Sequence, residues 1–292
     1  MIIVRTKGRI GNLLFQYAAA KQIANDNNTE VRVDVGDTNF ERPYGADGND
    51  YSLKFFNIPV KITTEEEKRP FLQKSIFSFL ERVLPLSHRR LIWEKNNLPD
   101  QKIIGIKRKN LYLVGYFQSE KYFKGIEDEL RKEITLRDPI TEKCADIIKQ
   151  MQTTNSVSVH SRRGDILKGK VVLEKPSGSI EYFQKAAEEM REKLGNPHFY
   201  VFSDDPAWVK ENFSFLQPVT FISGGNLKDY EELMLMSYCK NNIISHSTFG
   251  WWAAWLNKNP KKIVIAPKQW FLDPVKNKIY TENLLPPSWI KI

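Results

Sequence analysis

The sequence predicts an α/β protein of two Rossmann-like domains facing a cleft, and three features carry that prediction. The chain has 292 residues, 41% of them apolar or aromatic and 27% charged, which exceeds the ~100 to 200 residues of one ordinary domain. From Val157 onward, short runs of β-branched and aromatic residues alternate with stretches of helical period, the pattern of a parallel sheet with crossover helices. The first residues open in a similar way, with an apolar run, a glycine-bearing turn and then a helical stretch.

Taken in order, Met1 to Arg5 reads as a strand, Gly8 to Asn12 as the turn, Leu13 to Ala24 as a helix and Val31 to Val35 as a second strand. Beyond Asp37 the pattern loosens. The basic, apolar stretch from Phe71 to Trp93 predicts one or two helices, Leu111 to Val114 a strand, and Glu120 to Lys132 a helix. We place the boundary between a first domain, 1–145, and a second, nucleotide-binding domain, 146–292. In the second domain Val157 to His160 starts the sheet. Glu181 to Leu194 then sets Phe183, Ala186, Ala187, Met190 and Leu194 on one helix face, with Ser179 as N-cap and Gly195 as stop. The remaining strands are His198 to Phe202, Val219 to Ile222, Asn242 to Ser245 and Lys262 to Ala266. Helices fill Pro206 to Phe213, Asp229 to Cys239 and Thr248 to Asn257.

Charge and cysteine usage narrow the partners. Lys and Arg number 44 against 35 Asp and Glu, a formal net charge of +9, which favours an anionic partner: nucleic acid, a phosphate-bearing small molecule or a membrane surface. Cys144 and Cys239 are far apart, without zinc or disulfide-framework spacing, and read as two buried thiols. The apolar run at Met1 is too short for a secretory segment and is followed by Lys7 and Arg9, so a cytoplasmic location is expected. No run reaches the ~18 apolar residues of a membrane span. Phe71 to Trp93 could still rest on an anionic membrane as an amphipathic helix, although packing within the protein is the commoner fate of such a stretch.

Chemistry collects at the carboxyl ends of the predicted strands, where doubly wound sheets bind ligands. His160-Ser161-Arg162-Arg163-Gly164-Asp165 offers two adjacent guanidiniums, whose forked donors match phosphate oxygens, and an acid able to lock one of them. Ser203-Asp204-Asp205 invites a metal reading, but the chain contains no Asp-x-Asp. Carboxylates before Pro206 also serve as helix caps, so one is read as a cap and the other as a ligand contact. Ser245 to Phe249 opens a helix with hydroxyls and free amides suited to an anion, although Ser247 or Thr248 taken singly reads equally as an N-cap. Trp251 and Trp255 share a helix face and read as core anchors before a base-stacking platform. The turn Gly8-Arg9-Ile10-Gly11-Asn12 lacks both the dinucleotide fingerprint and the Walker lysine.

Four segments in order, Gly8 to Tyr17, His160 to Asp165, Phe202 to Asp205, and Leu235-Met236-Ser237 through His246 to Trp252, resemble the glycosyltransferase family 11 α-1,2-fucosyltransferases. The resemblance spans nearly the whole chain. It implies a glycosyltransferase type B fold and inverting, metal-independent transfer of L-fucose from GDP-fucose to the 2-hydroxyl of a terminal β-galactoside, on an oligosaccharide or a lipid-linked glycan. It implies no cofactor and no metal; peripheral contact with the inner face of the cytoplasmic membrane would come from the basic stretch Phe71 to Trp93 rather than from the resemblance. By the same resemblance Arg162 contacts the diphosphate, His160 lies near the guanosine, Glu232 stands where related enzymes read guanine with Asp, and Ser247 and Thr248 lie by the phosphates. Gly11 and Asn12 match the N-terminal turn that approaches the sugar and leaving group. Ile166, where the pattern often has Tyr, and Ser161, in place of an apolar residue, depart from it.

The expected mechanism is displacement at the anomeric carbon with inversion. Arg162, Arg163 and helix-end amides stabilise charge on the departing GDP. Asp165 and Glu174 are candidates for general base, Asp165 being equally suited to hold Arg163. Three other readings stay open: a nucleic-acid binder, a GDP-binding protein without transfer activity, and a fucosyltransferase of another linkage or donor. The binder explains the positive charge but not the clusters at the strand ends.

Overall fold

A computed structural model describes residues 1–36, 51–59, 61–73, 84–95, 99–100, 102–163, 179–225 and 227–292. The chain divides into two compact units, Met1–Thr135 and Leu136–Ile292, the division falling ahead of the expected 145/146 boundary.

The first unit is built on a parallel sheet of β1 (Ile2–Arg5), β2 (Val31–Asp34), β3 (Lys61–Ile62), β4 (Leu91–Trp93) and β5 (Leu111–Val114), in the order β3-β2-β1-β5-β4. Central β1 is apolar on both faces, with Ile2, Ile3 and Val4 fully buried, as expected of a strand covered by helices on each side. Helix α1 (Ile10–Asp26) buries Leu13, Leu14, Phe15, Tyr17 and the alanines that follow. It starts earlier than the sequence suggests, so Gly11 and Asn12 form its first turn and the connecting turn is Thr6 to Arg9. Gly8 is the residue this turn requires. Its φ is +89°, and a Cβ there would come within 2.6 Å of Asn12 Nδ2.

Two expectations for this half need correction. Leu91 to Trp93 is strand, because these residues extend the sheet beside β5, and an apolar triplet with β-branched Ile92 and aromatic Trp93 suits a pleated edge. Helix α2 (Glu65–Leu72) ends at the start of the predicted 71–93 helical stretch, and 74–83 lie outside the described residues. Glu120 to Lys132 is broken into a 3₁₀ turn, Glu120–Tyr122, and helix α3 (Glu127–Glu133), with Gly125 at φ +119° between them.

The second unit follows the predicted pattern closely. Strands β6 (Asn155–Ser161), β7 (Pro197–Ser203), β8 (Val219–Phe221), β9 (Asn241–Ile243), β10 (Val264–Ala266) and β11 (Ile290–Lys291) make a parallel sheet in the order β11-β10-β9-β6-β7-β8. The short β11 has no readable pattern of its own. Helices α4 (Glu142–Thr153), α5 (Ile180–Leu194), α6 (Pro206–Asn212), α7 (Asp229–Tyr238), α8 (Thr248–Leu256) and α9 (Pro274–Leu284) complete it. As predicted, α5 buries Phe183, Ala186, Ala187 and Met190, Ser179 caps it, and Gly195 at φ +74° ends it. Missed α4 is anchored by Cys144 and Met151, which pack against Tyr200, Phe202, Leu235 and Met236.

Helix α8 is apolar around its whole circumference, with Trp251 and Trp252 fully buried and Trp255 5% exposed. Trp251 Nε1 donates to Leu284 O at 2.8 Å, tying α8 to α9. These tryptophans are core anchors, as expected. Both cysteines are buried and free. No helix among the described residues is long and apolar enough to cross a membrane.

Candidate active site

In the second unit, β6 and β7 run in register to their ends, pairing His160 with Phe202 and Ser161 with Ser203. That register brings the Arg162-Arg163 and Asp204-Asp205 pairs beside each other. Asp204 is a bracket. Its Oδ2 lies 3.2 Å from Arg162 Nε, and its Oδ1 accepts the Arg163 backbone N–H at 2.8 Å. One carboxylate therefore fixes the strand exit and the Arg162 guanidinium together. Both side chains are mostly shielded, at 17% and 22% exposure, so this charge-assisted contact is far less screened than a surface pair. The forked donors of a guanidinium match the geometry of phosphate oxygens.

Asp205 is the cap of the pair, as one of the two was expected to be. Its Oδ1 accepts from Trp208 N at 3.3 Å at the start of α6, and its own N–H donates to Ser203 Oγ at 3.0 Å. Asp205 is thus engaged with its own helix. Arg163 lies over the Trp208 indole, its guanidinium carbon 3.5 Å from the ring centroid, with Nε 4.0 Å from Asp205 Oδ2. The cation–π contact holds this arginine flat beside the strand end. Trp208 escaped notice in the sequence because nothing local marks an aromatic three residues past the acidic pair as its neighbour's partner. Asp165 and Glu174, the candidate bases, lie outside the described residues.

His160, near the end of β6, is a buried residue. It is 3% exposed, with Nδ1 3.1 Å from Ser245 Oγ and its ring 5.3 Å from that of Phe249. A Cβ on Gly250 would meet Nδ1 at 2.8 Å, so α8 starts against the imidazole. Burial, with Arg162 nearby, pushes its pKa down to about 4, and the ring is neutral at physiological pH. Ser247 caps α8, its hydroxyl accepting from Phe249 N at 3.3 Å, and Thr248 is the first helical residue.

The opposite end of the strand-end row is built around Glu232 on α7. Ser203 N donates to Ser223 Oγ at 2.9 Å, and that hydroxyl donates to Glu232 Oε2 at 2.9 Å. The serine relay joins the ends of β7 and β8 to the carboxylate. Burial pushes the Glu232 pKa up to about 7, the Ser223 bond opposing the shift and Asp229 and Glu231 adding to it. A half-buried carboxylate with acceptor oxygens suits a ligand edge bearing two N–H donors.

In the first unit, Gly11 is buried within α1, and Asn12 Oδ1 accepts from Gln118 Nε2 at 2.8 Å. Among the described residues, no group of three or more His, Cys, Asp or Glu side chains is arranged to hold a metal ion.

The sequence pattern of the family described as Glycosyl transferase family 11 matches residues 1–292. The chain belongs to glycosyltransferase family 11. This family 11 glycosyltransferase is 29% identical to an alpha-1,2-colitosyltransferase of Escherichia coli, over 100% of this chain and 99% of that protein. It is 31% identical to the O-antigen biosynthesis glycosyltransferase WbnK of Escherichia coli, over 98% of each. Its fold is similar to that of the fucosyltransferase NodZ from Bradyrhizobium, with a TM-score of 0.51 at 15% identity, covering 86% of this chain and 91% of that one.

Proposed function

We propose that this glycosyltransferase transfers L-fucose from GDP-fucose to the 2-hydroxyl of a terminal β-galactoside in a glycan, with inversion and without a metal ion. The observation that carries the proposal is the Asp204 bracket, which presents Arg162 at the end of β6. When the sugar leaves, negative charge builds on the β-phosphate, and a pre-oriented guanidinium stabilises it without reorganising. Glu232, at the end of the same row, is the group to take the N1 and N2 donors of guanine. Ser247 and Thr248 stand at the N-terminus of α8, where amides and the helix dipole favour a phosphate. An α-1,2 linkage also stands in the name of the colitosyltransferase relative. That relative favours a second reading with the same site and linkage class but a colitosyl donor.

The test is incubation of the purified protein with GDP-fucose or GDP-colitose and a set of β-galactoside-terminated sugars, followed by NMR of the product. An α-1,2-fucosylated galactoside is the expected product. Turnover of GDP-colitose alone moves the assignment to the second reading, and GDP binding without either transfer removes both. A glycan acceptor presented on lipid would be turned over in the same assay when supplied in detergent.

The guanine assignment carries a pH signature. Only the ionised Glu232 carboxylate accepts both N–H groups, and its pKa stands at about 7. GDP affinity is therefore at its full value above that pH and falls as pH drops through it, by up to about tenfold per unit. Titration calorimetry between about pH 8 and pH 5.5 checks this: Glu232→Gln should bind GDP more weakly at the upper end and keep only the pH dependence of the GDP phosphate, whose second pKa is about 6. A wild-type affinity that does not change with pH would remove Glu232 from the base-binding role.

A further inference from the structure

The turn after β5 is held by more contacts than its length requires. Glu94 Oε2, just past β4, accepts the backbone N–H groups of Tyr116 and Phe117, each at 2.8 Å. Phe117 is fully buried with φ +52°, a left-handed conformation that an aromatic residue avoids. Gln16 of α1 is buried and clamps this turn to the one after β1. Its Nε2 donates to Gly115 O at 3.0 Å and Lys7 O at 3.3 Å, and its Oε1 accepts from Lys7 N at 3.0 Å. The two turns thus form one rigid piece, and what they deliver is a pair of side-chain amides: Gln118 Nε2 on Asn12 Oδ1 at 2.8 Å. Asn12 is confined from the other side by Gly8, whose missing Cβ leaves room for Nδ2. Backbone strain and a withdrawn carboxylate concentrated on one short turn point to function.

We infer that Gln118 is a positioning residue that sets the polarity of the Asn12 amide. With Oδ1 engaged by Gln118, Asn12 meets a ligand as an N–H donor, the polarity suited to the oxygens of a sugar or of a diphosphate leaving group. The catalytic side of this inference rests on the proposed transfer reaction and on Asn12 approaching its sugar and leaving group. The orientation of the amide does not.

Gln118→Glu tests it, because the replacement keeps the shape and reverses the hydrogen-bond role. An ionised glutamate only accepts, so it draws Asn12 Nδ2 towards itself and turns the amide over; a protonated glutamate donates and restores the original orientation. Turnover of Gln118→Glu relative to wild type should be about tenfold low at about pH 8 and recover as pH falls to about 5, through a carboxyl pKa raised by half-burial. Gln118→Leu should be low at every pH. The titratable groups on the segments that meet here, Lys7 and Arg9 before α1, Glu94 after β4 and Tyr122 after the turn, are common to both proteins and cancel in the ratio. A second readout is free of activity: the Asn12 side-chain amide signal, in protein labelled with ¹⁵N-asparagine, should shift in Gln118→Glu at high pH and return at low pH. A signal that does not move overturns the inference. A signal that moves without the turnover ratio following it confines Gln118 to structure and overturns its catalytic part. If wild type releases no GDP from GDP-fucose, the functional proposal fails while the amide signal still decides the orientation.

Discussion

Arg162→Ala lowers turnover by at least ~100-fold, the scale of one lost charge-stabilising donor in a transition state. The expectation rests on geometry as well as charge. Asp204 holds Arg162 at 3.2 Å through Nε and holds the next backbone N–H at 2.8 Å, so the guanidinium needs little reorganisation when the leaving group gains charge. Lysine at 162 should recover only part of the rate, because an ammonium supplies charge without the fork. Asp204→Asn separates the two contributions: it leaves Arg162 in place but weakens its tether, so the fall in kcat should be smaller than for Arg162→Ala. Steady-state rates of GDP release, with GDP affinity measured alongside, check all three. Near-normal transfer by Arg162→Ala would remove the arginine from the mechanism.

Trp251→Ala should destabilise the second unit by ~3 to 5 kcal/mol, the range for a buried Trp or Phe truncated to Ala. Trp251 is fully buried, lies among Trp252, Trp255 and Trp289, and donates its indole N–H to Leu284 O at 2.8 Å. Truncation therefore leaves both a cavity and an unpaired carbonyl where α8 meets α9. A drop in Tm of roughly 10 °C in a thermal scan is expected, with GDP affinity kept well below the transition. A base-stacking role would give the reverse, an unchanged Tm and lost GDP binding.

The second unit was legible because each of its elements has a local signature. Ser179 and Gly195 bound a helix whose apolar face is written at period 3.6, and the main strands are short apolar runs between turns. Its polar clusters also stood out, since Arg162, Arg163, Asp204 and Asp205 sit at strand ends where ligands bind. Their division of labour was not legible. Which aspartate caps and which brackets depends on the register of β6 and β7 and on where α6 begins, and those are tertiary facts. The surroundings of His160 were hidden for a related reason: the motif marks its position along the strand, while the packing of Gly250 and Phe249 decides that its ring is covered. In the first unit the signal is weaker still. Leu91 to Trp93 is too short to read as strand without its neighbour β5, and Gln118, Gln16 and Glu94 act through contacts across the sheet that no spacing in the chain encodes.

The most direct measurement is the initial rate of GDP release from GDP-fucose, with a β-galactoside acceptor present, in excess EDTA and then with magnesium or manganese restored. Neutralisation of the diphosphate by Arg162 and the amides of α8 predicts the full wild-type rate in EDTA, no gain on adding either ion, and loss of that rate in Arg162→Ala. A wild-type rate abolished by EDTA and recovered with the metal would contradict the account.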